Sequence, residues 1–327
     1  MIISRTPLRM SFVGGGSDLP AFYREAGGAV LSTAIDKYVY VSVNRKFDEG
    51  IRLAYSRTEE VDSLDKIDHR LFRAVLEMLE VTGGVEVTTT ADIPSRGTGL
   101  GSSSTFTVGL LNAINAYKGQ ASAAEWMAAK ACEVEIERCG EPIGKQDQYA
   151  AAYGGMNLIV FNPDDSVVVE PIILSDATRV DLQRRLIVFY TGDTRSASNI
   201  LSDQNDSLQV DPSVRQRTAR MAELAYILRD ELKADRLDAF GEILRENWSL
   251  KKGLARGISN PRIEVWHDNA IGAGALGGKL LGAGAGGFLV FYAPVERHDA
   301  IAKAVGLRRV DFGFEASGSK ILFSNPS

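Results

Sequence analysis

The densest chemistry in the sequence lies in the run Pro94-Ser95-Arg96-Gly97-Thr98-Gly99-Leu100-Gly101-Ser102-Ser103-Ser104. Glycines at alternate positions let successive backbone N–H groups converge on one anion, because a residue without a Cβ takes the left-handed conformations such a nest requires. A helix opening at the serines would add the positive end of its dipole, and the hydroxyls of Ser102, Ser103 and Ser104 could bind phosphate oxygens or magnesium. The run is a candidate phosphate cradle, against the plainer alternative of a surface turn with a serine cap. It is not a Walker A loop, since the nearest lysines, Lys145 in Gly-Lys-Gln and Lys279 in Gly-Lys-Leu, lack the hydroxyl that should follow. Residues 272–277 and 282–287 both fit G-x-G-x-x-G. That dinucleotide pattern should leave a strand and open a helix, whereas here a helix precedes it and the apolar strand Phe288–Tyr292 follows.

Two further segments flank the cradle: Pro7-Leu-Arg9-Met-Ser-Phe-Val-Gly14-Gly15-Gly16-Ser17-Asp18 near the start and Lys279-Leu-Leu-Gly282-Ala-Gly284-Ala-Gly286-Gly287 near the end. In this order and spacing the three resemble the motifs of the GHMP kinase superfamily of galactokinases, homoserine kinases, mevalonate kinases and phosphomevalonate kinases, over nearly the whole chain. The resemblance implies a two-domain α+β fold, with an N-terminal domain like domain 2 of ribosomal protein S5 and a ferredoxin-like C-terminal domain. It also implies ATP in a cleft beside Gly97, Thr98, Gly99, Leu100, Gly101, Ser102, Ser103 and Ser104. Ser103 matches the serine that approaches Mg2+, and Glu135 the helix glutamate that shares the metal, with Glu137 as the alternative.

Asp147, in Gly144-Lys-Gln-Asp147-Gln148, matches the aspartate that contacts the accepting hydroxyl in the sugar kinases, and Arg9 matches a cation held beside it. A loose phosphoryl-transfer transition state leaves the protein mainly to align the hydroxyl and neutralise charge. A neighbouring cation favours the ionised carboxylate, so Asp147 would orient the hydroxyl and take its proton late. Asp18 matches a sugar-hydroxyl acceptor, with capping of the following helix as its structural alternative, and Gly15, Gly16 and Gly284 fall with it on the substrate side.

Within the superfamily the stretches Gly14-Gly-Gly-Ser-Asp-Leu-Pro20-Ala-Phe-Tyr23, Ile35-Asp-Lys-Tyr38, Pro142-Ile-Gly-Lys-Gln-Asp-Gln-Tyr149 and Tyr190-Thr-Gly-Asp-Thr-Arg195 look most like bacterial D-glycero-D-manno-heptose 7-phosphate kinases. These phosphorylate the anomeric hydroxyl on the way to GDP-heptose for surface polysaccharides. A substrate that already bears phosphate needs cations gathered locally, and Arg195, Lys145 and Arg24 are the candidates. Fucokinase-like enzymes share the glycine-rich start, which keeps an unphosphorylated sugar open. Two further alternatives are a galactokinase-like sensor that binds ATP and sugar without turnover, and the ATP-consuming decarboxylases of the superfamily.

The elements that must position these residues are legible in outline. The first ~60 residues alternate as strands do, notably Val39 to Val43. A short helix opens near Pro20, an amphipathic one covers 70–80, and a strand from Val85 leads into the cradle and a helix over 104–117. A further helix, with Ser122 and Glu125 as a capping box, is expected to run to about Arg138. Strands follow near 156–161, 167–173 and 186–190, then helix over 213–252, a helix from Pro261, the strand 288–292, a helix over 296–305 and two short closing strands. The domains divide near residue 178, giving 1–178 and 179–327.

The 327 residues suit two domains and a cleft between them. A net charge of −5 argues against nucleic-acid binding. No apolar run approaches ~18 residues and the N-terminus lacks a signal pattern, so no membrane association and a cytoplasmic address are expected. The expected partner is a small sugar phosphate, with a homodimer as one assembly open to the chain. Cys132 and Cys139, seven apart in one helix and thus about 10 Å apart along its axis, read as packing thiols. His69, His267 and His298 have no second ligand at metal spacing.

Overall fold

The computed structural model describes residues 1–93, 99–193 and 197–325. In chain order the strands are β1 (Ile2–Val13), β2 (Gly28–Arg45), β3 (Ile51–Ala54), β4 (Thr58–Val61), β5 (Val85–Ala91), β6 (Met156–Phe161), β7 (Val167–Pro171), β8 (Leu186–Tyr190), β9 (Gly277–Leu280), β10 (Phe288–Tyr292), β11 (Arg308–Arg309) and β12 (Lys320–Ser324). The helices are α1 (Pro20–Ala26), α2 (Arg70–Met78), α3 (Ser102–Tyr117), α4 (Ala124–Cys132), α5 (Gln146–Tyr153), α6 (Asp176–Arg185), α7 (Ala197–Val210), α8 (Pro212–Lys233), α9 (Phe240–Lys251), α10 (Pro261–Gly272) and α11 (His298–Val305). Among the described residues no helix is long and apolar enough to cross a membrane.

The first sheet runs β12-β1-β2-β5-β3-β4, with the long β2 also carrying β6 and, through it, β7. All its pairings are antiparallel except β3 with β5. The second sheet, β11-β8-β10-β9, is antiparallel throughout. The division near residue 178 falls inside α6, between β7 of the first sheet and β8 of the second, and the closing strand β12 returns to pair with β1. α3 is buried around most of its circumference, as its mixed apolar and small residues allow, and packs on β1 and β2. The apolar core is shared between the sheets: Phe12 of β1 meets Phe240 of α9 edge-on at 5.2 Å.

Strands β6, β8 and β10 coincide with the expected segments to the residue. Three departures have local causes. The capping box at Ser122 does not form: Ala123 is the N-cap, Ser122 accepts from Asn115 at 2.9 Å, and Glu125 accepts from the hydroxyls of Tyr149 and Tyr153. The continuous helix expected over 213–252 breaks between α8 and α9, where Asp235 turns left-handed at φ 55°. The stretch expected to be merely glycine-rich contains β9, whose Gly277 and Gly278 admit the close approach of Gly241 and Phe291. Cys132 and Cys139 are free and buried, and His267 and His298 are buried as well.

The cradle meets the second unit backbone to backbone. A Cβ on Gly282, at φ +75°, would lie 2.2 Å from Gly99 Cα, an atom that cannot swing aside. Gly282→Ala should therefore cost about 1–3 kcal/mol in urea unfolding, whereas Gly272→Ala, with nothing within 4 Å of the new Cβ, should be neutral or stabilising.

Candidate active site

Three consecutive residues at the start of α5 organise the site. Gln146, Asp147 and Gln148 project at successive helical angles and reach three different partners. Gln146 donates through Nε2 to Asp18 Oδ1 at 3.0 Å. Asp147 accepts from Arg9 Nε at 2.8 Å and lies 2.7 Å from Arg9 Nη2. Gln148 donates to Glu135 Oε2 at 2.6 Å.

Arg9 is the deepest member of the second pair, its side chain 4% exposed against 24% for Asp147, so the carboxylate is the partner that faces outward. Its third contact is Nη1 to the Gly99 carbonyl at 2.6 Å, and its backbone N–H donates to the Leu100 carbonyl at 3.1 Å. These bonds tie β1 to the cradle. Gly101, at φ +75°, is the left-handed N-cap of α3, and a Cβ there would stand 3.2 Å from Asp147 Oδ2. Asp147 thus lies at the N-terminus of a 16-residue helix. Gly97 and Thr98 lie outside the described residues, as does Arg195.

Glu135 is fully buried and accepts from the Ser103 hydroxyl at 2.9 Å. Burial pushes its carboxyl up to about 7, against opposing hydrogen bonds from Ser104, Gln148 and Ser103. The regular helix expected to carry it ends at Cys132, and Glu133–Arg138 form a π-helical turn. That wider turn changes which residues face α3, so that Glu135 is buried and Glu137 exposed. Ser103 and Glu135 together offer oxygens of the kind a hard divalent cation takes alongside phosphates.

Asp18 is not the cap of α1; Leu19 is. Its oxygens accept instead from Gly16 N at 2.9 Å, Gln146 N at 3.3 Å and Gln146 Nε2. Burial raises its carboxyl above the ordinary value, and the charge of Asp147 adds to that. Gly284 follows Gly282 in the β9–β10 connection, but the side on which a Cβ would stand faces Ile258 Cα at 2.6 Å. Two of the three cations expected to hold a substrate phosphate are engaged elsewhere: Lys145 and Arg24 both pair with Asp165, at 3.1 and 3.2 Å. They hold its carboxyl at about 2, together with the Tyr23 hydroxyl.

The sequence assigns no role to two lysines, although Lys279 opens the third glycine-rich segment. Lys251, at the end of α9, donates to the Gly282 carbonyl, and Lys279, on β9, donates to the Ser11 and Phe12 carbonyls at 2.8 and 3.0 Å. Both are buried, and with Arg9 they gather positive charge where an acidic chain needs it. Only the return of α9 and β9 onto β1 brings them there.

Residues 69–155 match the family model "GHMP kinases N terminal domain" and residues 228–307 match "GHMP kinases C terminal". The chain is 30% identical over 342 residues to the D-glycero-alpha-D-manno-heptose 7-phosphate kinase of Campylobacter jejuni subsp. jejuni serotype O:2, with 98% of each chain covered. It is 27% identical to an L-fucokinase/L-fucose-1-P guanylyltransferase of Bacteroides fragilis, over 90% of this chain but 34% of that protein. The crystal structure of a D-glycero-D-manno-heptose 1-phosphate kinase from Bacteroides thetaiotaomicron superposes with a TM-score of 0.81 at 25% identity, covering 99% of this chain and 100% of that one. The chain belongs to the GHMP kinase family. It is an ATP-dependent small-molecule kinase on that family's two-domain α+β fold.

Lys251 offers a pH test. Burial and the charge of Arg9 lower its ammonium from 10.5 to about 8. Between those values the unfolded chain binds more protons than the folded one, so stability rises with pH across the window. Measured by urea unfolding, the native protein should gain up to about 3 kcal/mol relative to Lys251→Met between pH 8 and 10.5.

Proposed function

We propose that this kinase transfers the γ-phosphoryl group of ATP to the anomeric hydroxyl of D-glycero-D-manno-heptose 7-phosphate, giving the 1,7-bisphosphate in the cytoplasm for surface-polysaccharide synthesis. The observation that carries the chemistry is the Arg9–Asp147 pair at the N-terminus of α3. Similarity over 98% of both chains to the Campylobacter heptose 7-phosphate kinase supports the substrate.

On this reading Asp147 accepts a hydrogen bond from the attacking hydroxyl and Arg9 holds its carboxylate in line. The Gly97–Ser104 loop and the first turn of α3 receive the ATP phosphates. Ser103 and Glu135 would hold Mg2+, which when bound neutralises charge on the phosphate oxygens. Glu135 must be ionised to do so, and ligand binding then draws a proton from it. Asp18, Gly15 and Gly16 line the sugar, Gly284 borders it from the second unit, and Arg195 is assigned to the 7-phosphate.

A second reading, a fucokinase-like kinase of an unphosphorylated sugar, is favoured by one observation: Lys145 and Arg24 are already neutralised by Asp165.

ADP release with Mg-ATP and heptose 7-phosphate, unphosphorylated heptose, L-fucose or galactose separates the two. Preference for heptose 7-phosphate is the expected result, and preference for a neutral sugar would sink the heptose phosphate assignment. Asp147→Asn should lower kcat by about 10²–10⁴-fold while ATP still binds. Glu135→Gln should raise the Mg2+ concentration needed for half-maximal rate by at least about tenfold, measured by metal titration at saturating substrates; an unchanged requirement would remove Glu135 from the metal site.

A further inference from the structure

Eight side-chain polar atoms are buried without a hydrogen-bond partner among the described residues, and four of them gather on one loop. Ser11 Oγ, Gln146 Oε1, Gln204 Nε2 and Asn247 Nδ2 all belong to residues packed on Gly14, Gly15 and Gly16. Ser11 Oγ and Gln146 Oε1 each lie 3.9 Å from where a Gly15 Cβ would stand, and Asn247 Oδ1 accepts from Gly14 N at 3.2 Å. Buried polar groups are normally paired, so four unmet atoms around one loop call for a partner that is not part of the chain.

Gln204 is the most informative. α7 buries Ile200, Gln204 and Leu208, spaced four residues apart on one stripe. Ile200 and Leu208 join an apolar cluster with Leu19 and Phe22, while the residue between them is an amide only 2% exposed. Such an amide with an unmet N–H is unfavourable in the free protein, and a leucine there would pack at no such cost. Its Nε2 stands 2.2 Å from the position of a Gly16 Cβ, so the glycine is what lets the amide approach.

Gln146 supplies the opposite character. Its Nε2 is committed to Asp18, which sets the orientation of the amide and leaves Oε1 as an acceptor with no donor. A donor and an acceptor on the same glycine loop are complemented by hydroxyls, which both accept and donate. A phosphate or carboxylate would instead set its negative charge against Gln146 Oε1 and the Asp18 carboxyl.

The geometry points to Gln204, together with Gln146, as residues that read hydroxyl groups of the acceptor sugar and set its specificity. This rests on the sugar-kinase reading above and assigns an uncharged, hydroxylated part of the substrate to the Gly15–Gly16 loop.

The test uses the full chain with Gln204→Met, which keeps the length without the donor, and Gln204→Glu, which replaces the donor by an acceptor. For the best sugar of the panel, both should raise KM about 10–100-fold and leave kcat and the KM for ATP within about threefold. Without sugar, Gln204→Met should melt at or above the native temperature, and it should no longer discriminate against the deoxy-sugar that the native enzyme rejects. Unchanged sugar KM in both variants, or a loss of kcat that tracks a lower melting temperature, would overturn the assignment and leave Gln204 a packing residue. If the native protein turns over no sugar and no sugar raises its melting temperature, the sugar-kinase reading falls and takes this one with it. If a sugar is turned over equally well by Gln204→Met, only this inference falls.

Discussion

A guanidinium as deeply buried as that of Arg9 is tolerated only when it is paired, because an unpaired charge in the interior carries a penalty of several kcal/mol. Its pairing with Asp147 and with the Gly99 carbonyl therefore constrains three parts of the chain at once: β1, the phosphate loop and the first turn of α5. Asp147 cannot drift without stranding Arg9, and Gly99 cannot drift without leaving both Arg9 and the Gly282 backbone against which it packs. The most exposed member of the pair is the one assigned to chemistry, and its more buried partner holds it.

Around that pair an acidic chain builds a balanced interior. Arg9, Lys251 and Lys279 gather beside Asp18 and Asp147, and the two lysines are held by backbone carbonyls rather than by carboxylates of their own. A lysine so held has no carboxylate partner of its own, whereas Lys145 pairs with Asp165. Desolvation pulls both lysines down and pushes Asp18 and Glu135 up. The free site thus sits away from its preferred ionisation, and ligand charge is what would restore it. A polar pocket that stays partly unsatisfied until filled is the same arrangement in uncharged form, and the orphaned amides around Gly14–Gly16 fit it.

Much of this was legible because it depends on neighbours in sequence. Strands β8 and β10 follow from unbroken apolar runs and β6 from one interrupted only at Asn157, and the cradle follows from glycines, which take positive φ without a steric penalty. Glu135 was placed by its match to the family's helix glutamate, but the π turn that buries it has no periodicity to betray it. α7 was missed: its buried stripe is interrupted by Gln204, which lowers the apolar signal at the position where the site needs polarity.

By itself the sequence determined the family and its fold class, and through that resemblance it singled out the Gly97–Ser104 loop and Asp18, Asp147, Arg9, Ser103 and Glu135 as candidates, since each sits in a short motif. Only the tertiary structure decided that Arg24 and Lys145 pair with Asp165, that Asp18 faces Gln146 rather than capping α1, that Lys251 and Lys279 are buried against the Gly282, Ser11 and Phe12 carbonyls, and that Gln204 packs on Gly16. Those pairings span tens to hundreds of residues. They form because packing β1 against both α3 and α9 brings together residues far apart in sequence, a choice that no short-range pattern encodes.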